Sequence, residues 1–156
     1  MRKNVKIINR KRENFLILYL YLILKKSPNQ RFFGRIKYMK NLAPNIIRQR
    51  LLIEGFYTIN VDEKVINDYF KEITDSLNLK MYGKPIIFST GGIGKEENQG
   101  YDAFVPLIDS GISVYIWANS KFFSIIIYTC KAFDERIARE ATRNFFKVKK
   151  VEYFAF

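Results

Sequence analysis

The sequence predicts an α+β domain, a mainly antiparallel sheet with two helices packed on one face. Three observations carry that expectation. Six short apolar stretches end in turn residues and read as strands. Two longer stretches repeat their apolar residues at helical spacing. The middle strands follow one another through connections of hairpin length, too short for parallel crossovers.

In chain order, residues 49–60 (QRLLIEGFYTIN) read as the first strand. Residues 61–79 follow as a helix, with Val65, Ile66, Tyr69, Phe70, Ile73 and Leu77 on one side and Asp62-Glu63 favouring its start. Residues 85–89 (PIIFS) are a short strand. Residues 90–100 (TGGIGKEENQG) hold four glycines and read as a mobile surface loop, with a lid over a site as the functional alternative. Strands at residues 103–108 and 112–117 flank the turn signal Asp109-Ser110-Gly111. Residues 122–129 form a strong strand. Asp134 caps a helix to about residue 147, with Ile137, Ala138, Ala141 and Phe145 on one face. Residues 151–156 close the sheet. Ile125-Ile126-Ile127 puts apolar groups on both faces of its strand. Helices cover one face, and a second copy of the chain is the expected cover for the other, giving a homodimer.

At 156 residues, 48% of them hydrophobic, the chain is long enough for one domain with a real core. Aromatic residues make up 16%, so large flat side chains should fill much of that core. One cysteine excludes an internal disulfide and paired-cysteine metal sites, and no metal is expected. The absence of histidine excludes Ser-His-Asp and Cys-His catalysis. Acid–base work is left to carboxylates, Lys, Tyr, Cys or a cofactor.

The net charge of +12 is unevenly placed. Residues 1–40 hold 12 Lys/Arg against one acid, Glu13; the remainder holds 15 against 14. Basicity therefore belongs to an N-terminal arm, and the domain itself gives little reason to expect a nucleic-acid partner. Within the arm, Phe15–Leu24 (FLILYLYLIL) is an apolar run of ten closed by Lys25 and Lys26. A transmembrane helix needs about 20 residues. Length and basic front suit a signal-peptide core, but no small-residue cleavage site follows. Two readings stay open: a membrane-surface anchor, or an extension ahead of a start at Met39. The expected division is an extension at residues 1–38 and a domain at residues 39–156, with membrane contact, if any, confined to the extension.

The glycine loop is not a P-loop. Gly94-Lys95 is preceded by Ser89 where the motif needs glycine and followed by Glu96 where it needs Ser or Thr. The stretch from Asp109 to Cys130 (DSGISVYIWANSKFFSIIIYTC) is the strongest chemical candidate. Each of its residues has a plain reading. Asp-Ser-Gly suits a turn, Cys130 suits a buried strand end, and Tyr115 and Trp117 suit packing.

Taken together, they resemble the core of the bacterial and archaeal S-adenosylmethionine decarboxylase family, E-S-H-x-x-x-H-x-W-P-E followed by a strand ending F-T-C. Without gaps, Glu-Ser falls on Asp109-Ser110, the tryptophan on Trp117 and Thr-Cys on Thr129-Cys130. Lys131-Ala132-Phe133-Asp134 and the helix after it are similar to the family's C-terminal part. The resemblance implies a two-layer sandwich dimerising through its sheets. It also implies a cytoplasmic, pyruvoyl-dependent carboxy-lyase of polyamine (spermidine) biosynthesis, acting on S-adenosylmethionine or a related amino acid. Autocatalytic cleavage between Asp109 and Ser110 would turn Ser110 into the pyruvoyl group, leaving Asp109 as the new C-terminus. Cys130 would be the proton donor in turnover and Trp117 a substrate-binding residue.

Several family positions differ. Its two histidines fall on Gly111 and Tyr115, its upstream processing serine on Asp102, and its Pro-Glu on Ala118-Asn119. An imidazole, which titrates near neutrality, gives way to a phenol, a weak base at neutral pH. Tyr115 and Asp102 are the candidate substitutes in processing. The alternative reading is a non-processing, inactive relative that binds a ligand or pairs with an active decarboxylase as a regulatory partner.

Overall fold

A computed structural model describes residues 40–156. The basic arm, its apolar run and Met39 lie outside the described residues. Six strands form one sheet: β1 (Gln49–Phe56), β2 (Ile86–Ser89), β3 (Gly100–Leu107), β4 (Ser110–Trp117), β5 (Phe122–Thr129) and β6 (Lys150–Ala155). Their spatial order is β2-β3-β4-β5-β1-β6, and every neighbouring pair is antiparallel. Two helices, α1 (Glu63–Ser76) and α2 (Glu135–Phe146), cover one face. The expected α+β class, element order and helix layer are all present, and residues 43–156 form one compact unit.

Strand alternation sorts the side chains. Leu51, Ile53, Val105, Ile112, Val114, Phe123, Ile125 and Ile127 face the helices and are fully buried. From the helices come Ile66, Tyr69, Phe70, Ile73, Ala138 and Phe146, also fully buried. Phe146 joins the layers, its ring 5.0 Å from Phe123 in the sheet and 4.8 Å from Tyr69 in α1. The Tyr69 hydroxyl and Thr142 Oγ1 lie 2.8 Å apart, bonding α1 to α2 inside this apolar layer. Burial pushes the Tyr69 phenol well above its ordinary range, so it stays protonated. Each helix starts on an aspartate. Asp62 accepts from Val65 N–H at 2.8 Å, and Asp134 from Arg136 N–H at 2.8 Å.

Three expectations need correction. The β3–β4 turn is Ile108-Asp109, not Asp109-Ser110-Gly111; Ser110 and Gly111 already belong to β4, paired with Leu107 and Pro106. Asp109 adopts φ 53°, a left-handed turn conformation that aspartate tolerates better than most residues. The strand expected over residues 49–60 ends at Phe56, where Tyr57 N–H turns away to Lys121 O at 2.8 Å. The glycine loop is knit rather than loose. The Gln99 side chain accepts from Gly92 N–H at 2.8 Å and donates to Ile93 O at 3.0 Å and Lys95 O at 3.2 Å. Asn119 ties the loop to the β4–β5 turn through Glu96 O at 2.9 Å.

Among the described residues, no helix lies on the second sheet face. Ile86, Phe88, Phe104, Tyr115 and Phe56 are exposed there, from 36% for Tyr115 to 65% for Phe88. Apolar patches of this kind are uncommon on monomeric proteins.

Candidate active site

Ser110 opens β4 and Cys130 immediately follows β5. The register Gly111↔Tyr128 brings both to the same end of neighbouring strands. Ladder pairing stops there, and the serine hydroxyl continues it by accepting from Cys130 N–H at 2.9 Å. Serine and cysteine, 20 residues apart, are thus joined directly. Cys130 is half-buried and its thiol is free.

A cleft of about 370 Å³ opens over this pair. Leu107, Asp109, Ser110 and Cys130 line it from the strand ends, and Asn78 to Lys80 from the segment leaving α1. Asn78 leaves the helix in a left-handed turn at φ 51°, which brings the next residues past the β3–β4 hairpin. Tyr82 N–H donates to Pro106 O at 2.8 Å and holds that passage. Lys131 Nζ donates to Asn78 O at 3.1 Å across the rim. Among the described residues, Asp109 is the carboxylate lining this cleft, beside Lys80 and Lys131.

A second hollow, about 350 Å³, meets Asp109 and Ser110 from the open face, with Phe104, Gly111, Ile126 and Tyr128 on its walls. Gly111 and the Phe104 ring share one space. A Cβ there would lie 2.5 Å from the Phe104 ring, so that ring fills the space a side chain at position 111 would need.

The remaining predicted residues lie elsewhere. Asp102 and Tyr115 are direct cross-strand partners on the open face. Tyr115 is five residues along β4 from Ser110, about 16 Å away and on the opposite face by strand alternation. Trp117 is seven residues along, about 23 Å away. Its ring packs on Phe122 at 5.4 Å, and its carbonyl accepts from the Tyr57 hydroxyl at 3.5 Å. A single chain therefore unites Ser110, Asp109 and Cys130, and it holds Asp102, Tyr115 and Trp117 apart from them. Sequence reasoning missed Asn78, Lys80 and Lys131, which come from connections, and Gln49, whose contact lies 84 residues ahead.

The arrangement presents a hydroxyl, a thiol and a carboxylate to one small cleft. Among the described residues, no group of three or more Cys, Asp or Glu is placed to hold a metal ion. Ser110 directly follows Asp109, the turn residue in the left-handed conformation.

The S-adenosylmethionine decarboxylase family model matches residues 53–156. The crystal structure of the adenosylmethionine decarboxylase from Aquifex aeolicus superimposes with a TM-score of 0.52 at 16% identity. That match covers 71% of this chain and 89% of the other, and at this identity it speaks for the fold. A search of curated proteins returns no match. With the whole helix-covered sheet from the middle of β1 to β6 inside the matched residues, the chain belongs to the S-adenosylmethionine decarboxylase family.

Proposed function

We propose that this chain is a self-processing, pyruvoyl-dependent decarboxylase of S-adenosylmethionine or a related amino acid, acting in cytoplasmic spermidine synthesis. The observation that carries the reading is the 2.9 Å bond from Cys130 N–H to Ser110 Oγ, with the thiol and Asp109 in the same cleft. In processing, Ser110 Oγ attacks the Asp109 carbonyl carbon. The peptide C–N bond breaks, leaving an ester and a free amine at Ser110. A base then removes the Ser110 Cα proton, and the Cβ–Oγ bond breaks, with Oγ leaving in the Asp109 carboxylate. Tautomerisation and water convert the remaining dehydroalanine to a pyruvoyl group and release ammonia. Cys130 N–H already points at the oxygen on which negative charge develops, the geometry that favours such a departure.

The residues at position 110 fit the group. The precursor hydroxyl is held in a half-buried site beside a free thiol. When formed, the pyruvoyl carbonyl would supply the electron sink for loss of CO2. The chain's own part in turnover is then to seat the amino acid in the cleft and to return a proton to its α-carbon from the Cys130 thiol.

The base for processing is the open requirement within a protomer, since Asp102 and Tyr115 lie far from Ser110. Both face the exposed apolar sheet surface. We place the homodimer contact there, where a second copy would bring these two residues to a Ser110 hydroxyl. Trp117, on the same face, would contact substrate by the same route. If no processing occurs, the reading left is that of an inactive, ligand-binding or regulatory partner of an active relative.

The test is chain scission. The denatured mass should show two fragments, divided between Asp109 and Ser110, the C-terminal one blocked by a pyruvoyl group. Ser110→Ala should remain a single chain. An intact wild-type chain after long incubation would refute self-activated catalysis.

A further inference from the structure

We propose that Gln49 and Thr129 are positioning residues for Cys130, holding the link between β5 and α2 so that the thiol stays in the Ser110 cleft. Cys130 sits in a stretch, residues 130–133, that is neither strand nor helix. Such a link is free to wander unless side chains satisfy its backbone. Here two of them do. Thr129, fully buried, donates its hydroxyl to Lys131 O at 2.5 Å and so sets the bend that contains Cys130. Gln49 lies opposite Thr129 on β1 and uses both ends of its amide. Its Oε1 accepts from Phe133 N–H at 2.9 Å, and its Nε2 donates to Phe133 O at 3.0 Å. This imitates a strand's paired peptide where no strand exists. The same Nε2 donates to Glu135 Oε1 at 3.1 Å, joining the first turn of α2 to the clamp. The link is thus fastened at Lys131 and Phe133, and Cys130 N–H lies against Ser110 between strand and clamp. Gln49 precedes the residues matched by the family model, and nothing in the motif around Ser110 includes it.

The functional weight of this assignment rests on Cys130 being the proton donor, but its test does not require processing. Cys130 is the only cysteine in the chain, so thiol alkylation reports on this site alone. The full-length protein is labelled with iodoacetamide over a range of pH, as wild type, Thr129→Val, Gln49→Met and Thr74→Val. Thr74 supplies the control: it too is buried and donates to a backbone carbonyl, Phe70 O at 2.7 Å, but inside α1. We expect Thr129→Val to raise the labelling rate about fivefold, as losing one hydrogen bond's worth of local closure should, and Gln49→Met, which removes three bonds, to raise it by at least as much. The pH dependence of labelling should shift with them, while Thr74→Val leaves both unchanged. A wild-type rate in either variant, or an equal rise in Thr74→Val, overturns the assignment. Because labelling is read on intact or cleaved chains alike, absence of scission would count against the proposed activity without touching this result. Normal scission with unchanged labelling would count against positioning alone.

Discussion

Cys130 N–H and Ser110 Oγ face each other at 2.9 Å, and the two residues have separable duties. In the proposed mechanism the backbone N–H assists cleavage and survives any side-chain replacement, while the thiol serves turnover. Cys130→Ala should therefore still undergo scission but lose about 10²-fold or more in kcat, the usual worth of a placed proton donor. A Cys130→Ala chain that stays whole would show that the thiol is needed earlier. Tyr115 offers the converse experiment. If a weak base at this position limits processing, Tyr115→His should speed scission, by about 10²-fold where the imidazole is well placed. No acceleration would remove position 115 from the processing machinery. Gly111, where the family's first histidine falls, differs from position 115, since a Cβ there would lie 2.5 Å from the Phe104 ring and that ring must move to admit it. Gly111→Ala should cost about 1–3 kcal/mol in denaturant unfolding, the usual penalty for overpacking, and Phe104→Leu alongside it should recover part of that.

At the level of elements, Asp134 starts the helix that follows the Cys130 link. Bonds from Arg136 and Ile137 N–H, with Arg136 nearby, hold its carboxyl below the ordinary carboxylate range. A lowered folded-state value means stability that is present above the unfolded value and lost as pH falls through the folded one. Thermal melts of Asp134→Ala should therefore fall below wild type at neutral pH and converge with it in acid; a constant gap would contradict the cap. The elements themselves were largely legible in the sequence. Apolar spacing at Ile66, Tyr69, Phe70 and Ile73 marks α1, and all four are fully buried. Phe122–Thr129 was bounded correctly because it is apolar or β-branched throughout except at Ser124 and follows the polar Asn119-Ser120-Lys121 turn. The β3–β4 turn was misplaced because Asp-Ser-Gly is good turn chemistry wherever it occurs. The winning constraint was the register Leu107↔Ser110, which no local signal carries. Of the site, the Ser110–Cys130 pair was legible from matched spacing. The separation of Tyr115 follows from alternation along β4, five residues being an odd number. The Gln49–Phe133 clamp was invisible because its partners are 84 residues apart.

For the whole molecule, a helix-covered sheet whose other face is bare among the described residues predicts pairing. Phe88, Ile86, Phe56 and Phe104 on that face are between 40% and 65% exposed. Burial of apolar surface contributes about 25 cal/mol per Å², so covering this face is strongly favourable. Sedimentation should show a dimer, and Phe88→Asp with Phe104→Asp should yield monomers that keep the fold but no longer undergo scission. A monomeric wild type would leave Asp102 and Tyr115 without a route to Ser110. Every part of this account meets at one peptide bond. The most direct measurement is the mass of the purified, denatured chain. The account predicts two fragments divided between Asp109 and Ser110, with a pyruvoyl-blocked start to the second; one intact mass after long incubation would contradict it.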